Sequence, residues 1–380
     1  MLFRSHAAVV VQDNATAKVI LSGNNSLQRP VWGDSVILLP SGAKLTIDGG
    51  ADDWLRIEQT TSATMKGGIA GIGVGDYNKT LSMGTFVLDG GNVSIQFNPS
   101  YNTAVALGVC GGNRNAGTVI VNGGTLLAAS GALSAGIGGG YANPGNGGNG
   151  GTVIVNGGVV TAKGYGGAAG IGGGTVYSNN GVCGRGGSFT LNGGTVYAYA
   201  YRTGLWTTTD ENRCGAAIGG PAQRDKNEAG GMGTVTINDG TLYAYADVGA
   251  AIGHGNMASG AYTIENGSDG AFTIKGGSVK LVSGNNAALY HVTPKNGTLE
   301  PPLVKVAARK FGAPPYALEF VEKDAAEGAT PFAYSYHGAG YADDDSLYFY
   351  LPHGKYRMNG RFCVVGEDGV RFPGMVIIVK

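Results

Sequence analysis

Charge is what this chain has least of. Only 14% of its 380 residues are charged, and 26 basic residues against 26 acidic ones leave no net charge. Nucleic acid and anionic membranes are held through clustered cations, so bulk charge points to neither. Cysteine is almost as scarce: four residues, with no CxxC and no metal-ligand spacing, define neither a disulfide scaffold nor a zinc site. No apolar run approaches the length that spans a membrane as a helix. Phosphate loops, dinucleotide fingerprints and nucleophile elbows are missing too, so neither a cofactor nor a metal is expected.

Glycine is abundant instead, with 71 residues, but without the three-residue period of collagen. Much of it punctuates a motif seen most cleanly in Gly117-Thr-Val-Ile-Val-Asn-Gly-Gly124. Near-copies run over Lys44 to Gly50, Thr85 to Gly91, Thr118 to Gly124, Thr152 to Gly158, Ser188 to Gly194, Thr234 to Gly240 and Ala271 to Gly277. Seven copies signal a repeat architecture.

In each copy two alternate positions are large and apolar, as in Leu45/Ile47, Phe86/Leu88, Val119/Val121, Phe189/Leu191 and Phe272/Ile274, while the position between them varies. That is a short strand with alternate residues buried. A second alternating strand follows, as in Thr195-Val-Tyr-Ala-Tyr199, and a third segment such as Ala135-Gly-Ile-Gly-Gly-Gly140 closes the coil. Three strands per coil, stacked coil on coil, predict an all-β fold: a right-handed parallel β-helix of about seven coils. The handedness rests on the general rule for parallel crossovers. At the corner after the motif strand stand Asp48, Asp89, Asn122, Asn156, Asn192 and Asn238, residues that suit turns and predict a stacked amide ladder with a structural role.

The chain divides into an N-terminal cap and incomplete coil over 1–42, the β-helix over 43–292, a Pro/Gly-containing linker over 293–302, and a small antiparallel β-sandwich-like module over 303–380. Cys183 and Cys214 fall in loops of successive coils, where geometry decides whether they pair. Cys110 and Cys363 read as packing residues.

The repeated Gly-Thr-Val-x-Val-Asn-Gly-Gly and Ala-Gly-Ile-Gly-Gly-Gly resemble the Gly-rich β-helix repeats of bacterial secreted and cell-surface proteins. The run Ser346 to Tyr356 looks like the strand-turn-strand of small β-modules that often follow them. Broader relatives of that fold include pectate-lyase-like enzymes, phage tailspikes, adhesins and polysaccharide-binding proteins, so the resemblance implies a fold and not one activity. It implies an extracellular or cell-surface location. The short apolar run before Gln12 is not a signal peptide, so Met1 reads as the start of a trimmed chain or of a domain cut from a longer one. β-helix fibres are often oligomeric, which leaves a homo-oligomer open.

Candidate chemistry concentrates in two places. Outward positions of the second strands carry Tyr197, Tyr199, Tyr243 and Tyr245 on neighbouring coils, with Tyr201 and Asp247 next along and Lys163 and Lys280 flanking. Such an aromatic face suits a poly- or oligosaccharide, whose CH face covers a ring while its hydroxyls meet polar groups. A cross-strand tyrosine ladder that only stabilises the solenoid is the plainer reading. The insert after the fifth copy holds Arg202, Trp206, Asp210, Glu211 and Arg213, then Arg224, Asp225 and Glu228. Opposed carboxyls among Asp210, Glu211, Asp225, Glu228 and Asp247 would suit a glycoside hydrolase, and His254 is a candidate base or shuttle. Strand faces rich in Thr, Val, Ile and Tyr lack the calcium-binding carboxylates of a lyase. The leading expectation is glycan binding; the alternatives are a glycan-active enzyme and a structural adhesin or tail-fibre segment.

Overall fold

A computed structural model describes residues 7–28, 35–58, 68–75, 80–99, 103–142, 145–176, 181–202, 214–222, 231–247, 249–255, 270–274, 278–283, 299–300, 303–307, 316–325, 327, 332–336, 346–351, 353–366 and 369–373. Among these there is no helix, and the strands form three long parallel sheets. Each coil contributes one strand to each sheet in the same order: a closing-sheet strand, a motif-sheet strand and a tyrosine-sheet strand. The sixth coil, for example, is Ile171–Gly172, Ser188–Leu191 and Thr195–Tyr201. This is a parallel β-helix.

The motif copies pair in the register that their alternation predicts. Val119 lies opposite Phe86 on one side and Val153 on the other, and Phe189 opposite Val235. Inward positions are shut off from water: Leu45, Phe86, Val119, Val153, Phe189 and Val235 are all at most 2% exposed. A fully buried Phe such as Phe86 contributes on the order of 2–3 kcal/mol by transfer alone.

The described residues form eight coils, in keeping with the expected number of about seven. Val9–Val10, Thr16–Ile20 and Asn24–Leu27 pair in parallel with Ser35–Leu38, Lys44–Asp48 and Trp54–Glu58, so residues in the segment expected as cap and incomplete coil supply all three strands of a first coil. Ala17 and Val19 occupy the apolar positions of the motif, opposite Leu45 and Ile47. The Asn/Asp corner that marks six of the seven repeat copies, Lys275 being the exception, is missing after Ile20 as well, where the chain reads Leu21-Ser22-Gly23.

Two columns explain the composition. At the corners Asn122, Asn156, Asn192 and Asn238 each donate an amide Nδ2–H to the Oδ1 one coil before, at 2.8, 2.8, 2.8 and 2.7 Å, and Asp89 ends the ladder as acceptor. On the closing sheet, Gly73, Gly108, Gly138, Gly172, Gly219 and Gly253 stack with φ between 131° and 152°. A Cβ on any of the first five would run into the carbonyl of the glycine stacked on it. Only glycine meets both conditions.

At the C-terminal end the tyrosine-sheet strand Ser278–Ser283 pairs in parallel with Phe332–Tyr336, and from there the sheet continues antiparallel through Tyr316–Glu322, Gly354–Met358, Arg361–Gly366 and Gly369–Arg371. Leu303–Ala307 pairs antiparallel with Ser346–Tyr350. Cys183 and Cys214 are not joined in a disulfide: both thiols are buried, and Cys214 Sγ donates to the Ala200 carbonyl at 3.2 Å.

Candidate functional site

The tyrosine face is built by strict alternation. Along Thr195–Tyr201 the inward residues Val196, Ala198 and Ala200 are fully buried, which sends Tyr197, Tyr199 and Tyr201 outward. One coil on, Leu242, Ala244 and Ala246 do the same for Tyr243 and Tyr245. Small inward residues bring the closing sheet close behind: a Cβ on Gly170 would crowd the backbone N and O of Tyr199. The rings therefore stand on a scaffold packed directly from within, which fixes their spacing.

Six rings form the cluster, Tyr165 joining the five tyrosines expected on this face. Tyr165 lies opposite Tyr201 in the ladder and stacks on it, with centroids 5.3 Å apart and planes 27° apart. Tyr199 stacks on Tyr201 at 5.7 Å and 7°. Tilted contacts at 5.8 and 6.4 Å join Tyr199 to Tyr243 and Tyr245, and others at 6.0 and 6.3 Å join Tyr201 to Tyr245 and Tyr197 to Tyr243. Each such pair contributes about 0.5–1.5 kcal/mol beyond its area. Tyr165 continues the alternation of its strand one step past Lys163, and reading the pattern to the strand end finds it.

The contacts also correct the picture of a platform of open ring faces. Tyr199 meets Tyr201, Tyr243 and Tyr245, and the Lys163 ammonium sits 6.0 Å from its centroid. Its faces are taken up within the cluster. Tyr197 is the most open member, at 38% exposure, and the other five are half-buried. Tyr197 gives the outer surface its most exposed ring, beside phenol hydroxyls and ring edges.

Electrostatics keep those phenols protonated. Burial raises Tyr165, Tyr199, Tyr201 and Tyr243 above the ordinary tyrosine value. Tyr245 is pushed up to about 12, first by burial and then by its hydrogen bond to Asp247. The phenols of Tyr165, Tyr199, Tyr201, Tyr243 and Tyr245 are thus neutral O–H groups at physiological pH.

Asp247 closes one edge. Its Oδ1 accepts from the Tyr245 hydroxyl and its Oδ2 from the Arg202 backbone N–H, both at 2.9 Å, while its own N–H donates to Ala200 O at 3.0 Å. The chain leaves the sheet at Arg202, and Cys214, where the described chain resumes, bonds to Ala200 beside that departure. Arg202 and Cys214, which flank residues 203–213, are thereby each tied to this part of the tyrosine sheet, Arg202 through Asp247 and Cys214 from the buried side through Ala200.

Of the residues singled out in the sequence, the structure brings together Tyr197, Tyr199, Tyr201, Tyr243, Tyr245, Lys163, Asp247 and Arg202. Lys280 occupies the strand position opposite Tyr243. His254 is buried at the end of the closing-sheet strand Ile252–Gly253, on a different sheet from the tyrosines. Trp206, Asp210, Glu211, Arg213, Arg224, Asp225 and Glu228 lie outside the described residues. Among the described residues no group of three or more His, Cys, Asp or Glu is placed to hold a metal ion, and no helix is long and apolar enough to cross a membrane. Compared with known proteins, the chain matches no family model, no curated protein and no solved structure.

Proposed function

We propose that this is a secreted or cell-surface protein that binds poly- or oligosaccharide on its tyrosine sheet, with Tyr197 as the stacking ring. The observation that carries the reading is an exposed ring, Tyr197, beside the phenol hydroxyls of its neighbours, on a face stiffened from behind by the closing sheet. A sugar's CH face covers Tyr197. Its hydroxyls then meet the Tyr243 hydroxyl and the polar outward residues Thr161, Thr195 and Thr241 of the same face. Binding surfaces on rigid scaffolds lose little entropy on docking, which favours this use of a solenoid.

Hydrolysis needs two carboxyl groups free to face the scissile bond. Asp247 is the one proposed carboxylate among the described residues, and both its oxygens are engaged by the protein itself. No observation favours the enzyme over the binder. The test is retention of the protein on a panel of plant, mucin and bacterial glycans, with released products followed in parallel. Retention without products, weakened by Tyr197→Ala, is expected. Product release, or retention untouched by Tyr197→Ala combined with Tyr243→Ala, would overturn the reading.

A further inference from the structure

We propose that the polysaccharide carries carboxylates, and that a cationic cluster on the C-terminal part of the tyrosine sheet holds them. This inference rests on the glycan reading for its ligand. Cross-strand partners point to the same face of a sheet, so the register carries the outer face of the solenoid into the C-terminal strands. Tyr197 pairs with Tyr243, Tyr243 with Lys280, Lys280 with Ala333 and Ala333 with Glu319. Two positions along from Glu319, Val321 pairs with Arg357 and Arg357 with Phe362. The alternate residues Leu318, Phe320, Tyr356, Met358, Cys363 and Val365 are buried on the opposite side, which fixes the sense of the face.

At its far end this outer face is basic. Lys355 and Arg357 alternate along one strand and both are exposed. Lys355 pairs with Val364, and Val364 with the exposed Arg371. Just past the end of Tyr316–Glu322 the Lys323 backbone N–H donates to Lys355 O at 2.9 Å, and the Lys323 ammonium stands 5.9 Å from the Phe362 ring centroid. Glu319 is the one acidic residue at an outward position of these C-terminal strands. Like charges on neighbouring strands repel, a cost that an anionic partner offsets. On the solenoid part, Lys163 and Lys280 occupy positions of the same face, while both oxygens of Asp247 are already engaged.

Five strand steps separate Tyr197 from Arg357. At about 4.8 Å per step that is about 24 Å, farther than one sugar reaches, so the ligand is a chain with repeated anionic groups. Carboxylates suit guanidinium and ammonium donors through charge-assisted hydrogen bonds. A lipid surface would call for a wider apolar patch, and Phe362, at 39%, is the one exposed large hydrophobic among the described residues of this part.

The experiment measures binding of the full chain to polygalacturonate, alginate and hyaluronan, each beside its carboxyl-reduced form, which keeps the chain and loses the charge. At least one acidic polymer is expected to bind about five- to tenfold more tightly than its reduced form at low salt, with the preference fading at about 0.5 M salt. Lys355→Gln with Arg357→Gln should abolish that preference and leave binding of the reduced form unchanged, whereas Tyr197→Ala should weaken both forms. Should the paired variant lose its β-sheet circular dichroism, Lys323→Gln repeats the test from the turn. Equal binding of acidic and reduced forms, or a preference that survives these variants, would overturn the cationic cluster and leave the glycan reading standing. Binding to duplex DNA or anionic vesicles but to none of the three polymers would overturn it as well, and retention on neutral glycans then decides the glycan reading separately.

Discussion

Gly138→Ala is the substitution whose cost the structure prices most clearly, because a matched control exists seven residues away. Gly138 has φ 134° and Gly145 has φ 128°, so both hold a backbone conformation that L side chains rarely adopt. What differs is space. A Cβ on Gly138 would strike the carbonyl of Gly172 on the next coil, whereas one on Gly145 would meet only the Ala142 Cβ, at 4.0 Å. The backbone share is about 1–3 kcal/mol at either site. Overpacking adds about 1–3 kcal/mol at Gly138 alone.

Gly138→Ala is therefore expected to cost roughly 2–6 kcal/mol, a large part of the 5–15 kcal/mol that typically holds a domain together. Gly145→Ala should cost only the backbone share. Urea unfolding followed by circular dichroism measures both. Because solenoid coils couple mainly to their neighbours, the crowded variant should also broaden the transition or split it in two. Equal losses for the two variants would refute the steric argument, as would a Gly138→Ala protein within about 0.5 kcal/mol of the parent.

Three further predictions test separate columns of the fold. Asn156 makes two ladder bonds and Asn238 one among the described residues, so Asn156→Ala should cost about 1–2 kcal/mol and Asn238→Ala about half as much in the same unfolding assay. The Lys18 hydrogen bond depresses the Asp48 carboxyl below its ordinary 3.8, so its stabilisation is present above that value and lost as pH falls through the lowered one. The same bond raises Lys18 above 10.5, so its share is present below that value and lost as pH rises through the raised one. Lys18→Met should lower the urea midpoint at neutral pH, and the difference from the parent should shrink as pH falls below 3.8 through the lowered Asp48 value. In alkaline titration Tyr245 should ionise near 12, and the stabilisation from its protonated form should fade between 10 and 12, so phenolate absorbance that rises with the ordinary tyrosine value would contradict the cluster.

The coil register was legible in the sequence because strand alternation and the Asn/Asp-Gly-Gly corner are local and repeat. Lys44–Asp48 and the copies after it pair as their apolar positions require. The first coil was not legible, because Thr16–Ile20 carries the alternation without the corner and its inward residues remain partly open. The four stacked tyrosines were readable as outward positions on neighbouring strands. Their mutual packing was not, since ring orientation depends on rotamers that no sequence period encodes. Tyr199 and Tyr201 lie 7° from parallel, which takes ring faces out of reach and leaves Tyr197 as the most exposed ring.

The measurement that bears most directly on glycan binding compares Tyr197→Ala with Tyr197→Phe on whichever glycan retains the parent protein. If a sugar stacks on this ring, removing it weakens binding about tenfold or more, equivalent to about 1.4 kcal/mol, while Phe keeps most of the affinity. Equal affinity for the parent and Tyr197→Ala would contradict the account and leave the six tyrosines as a ladder that only stabilises the solenoid.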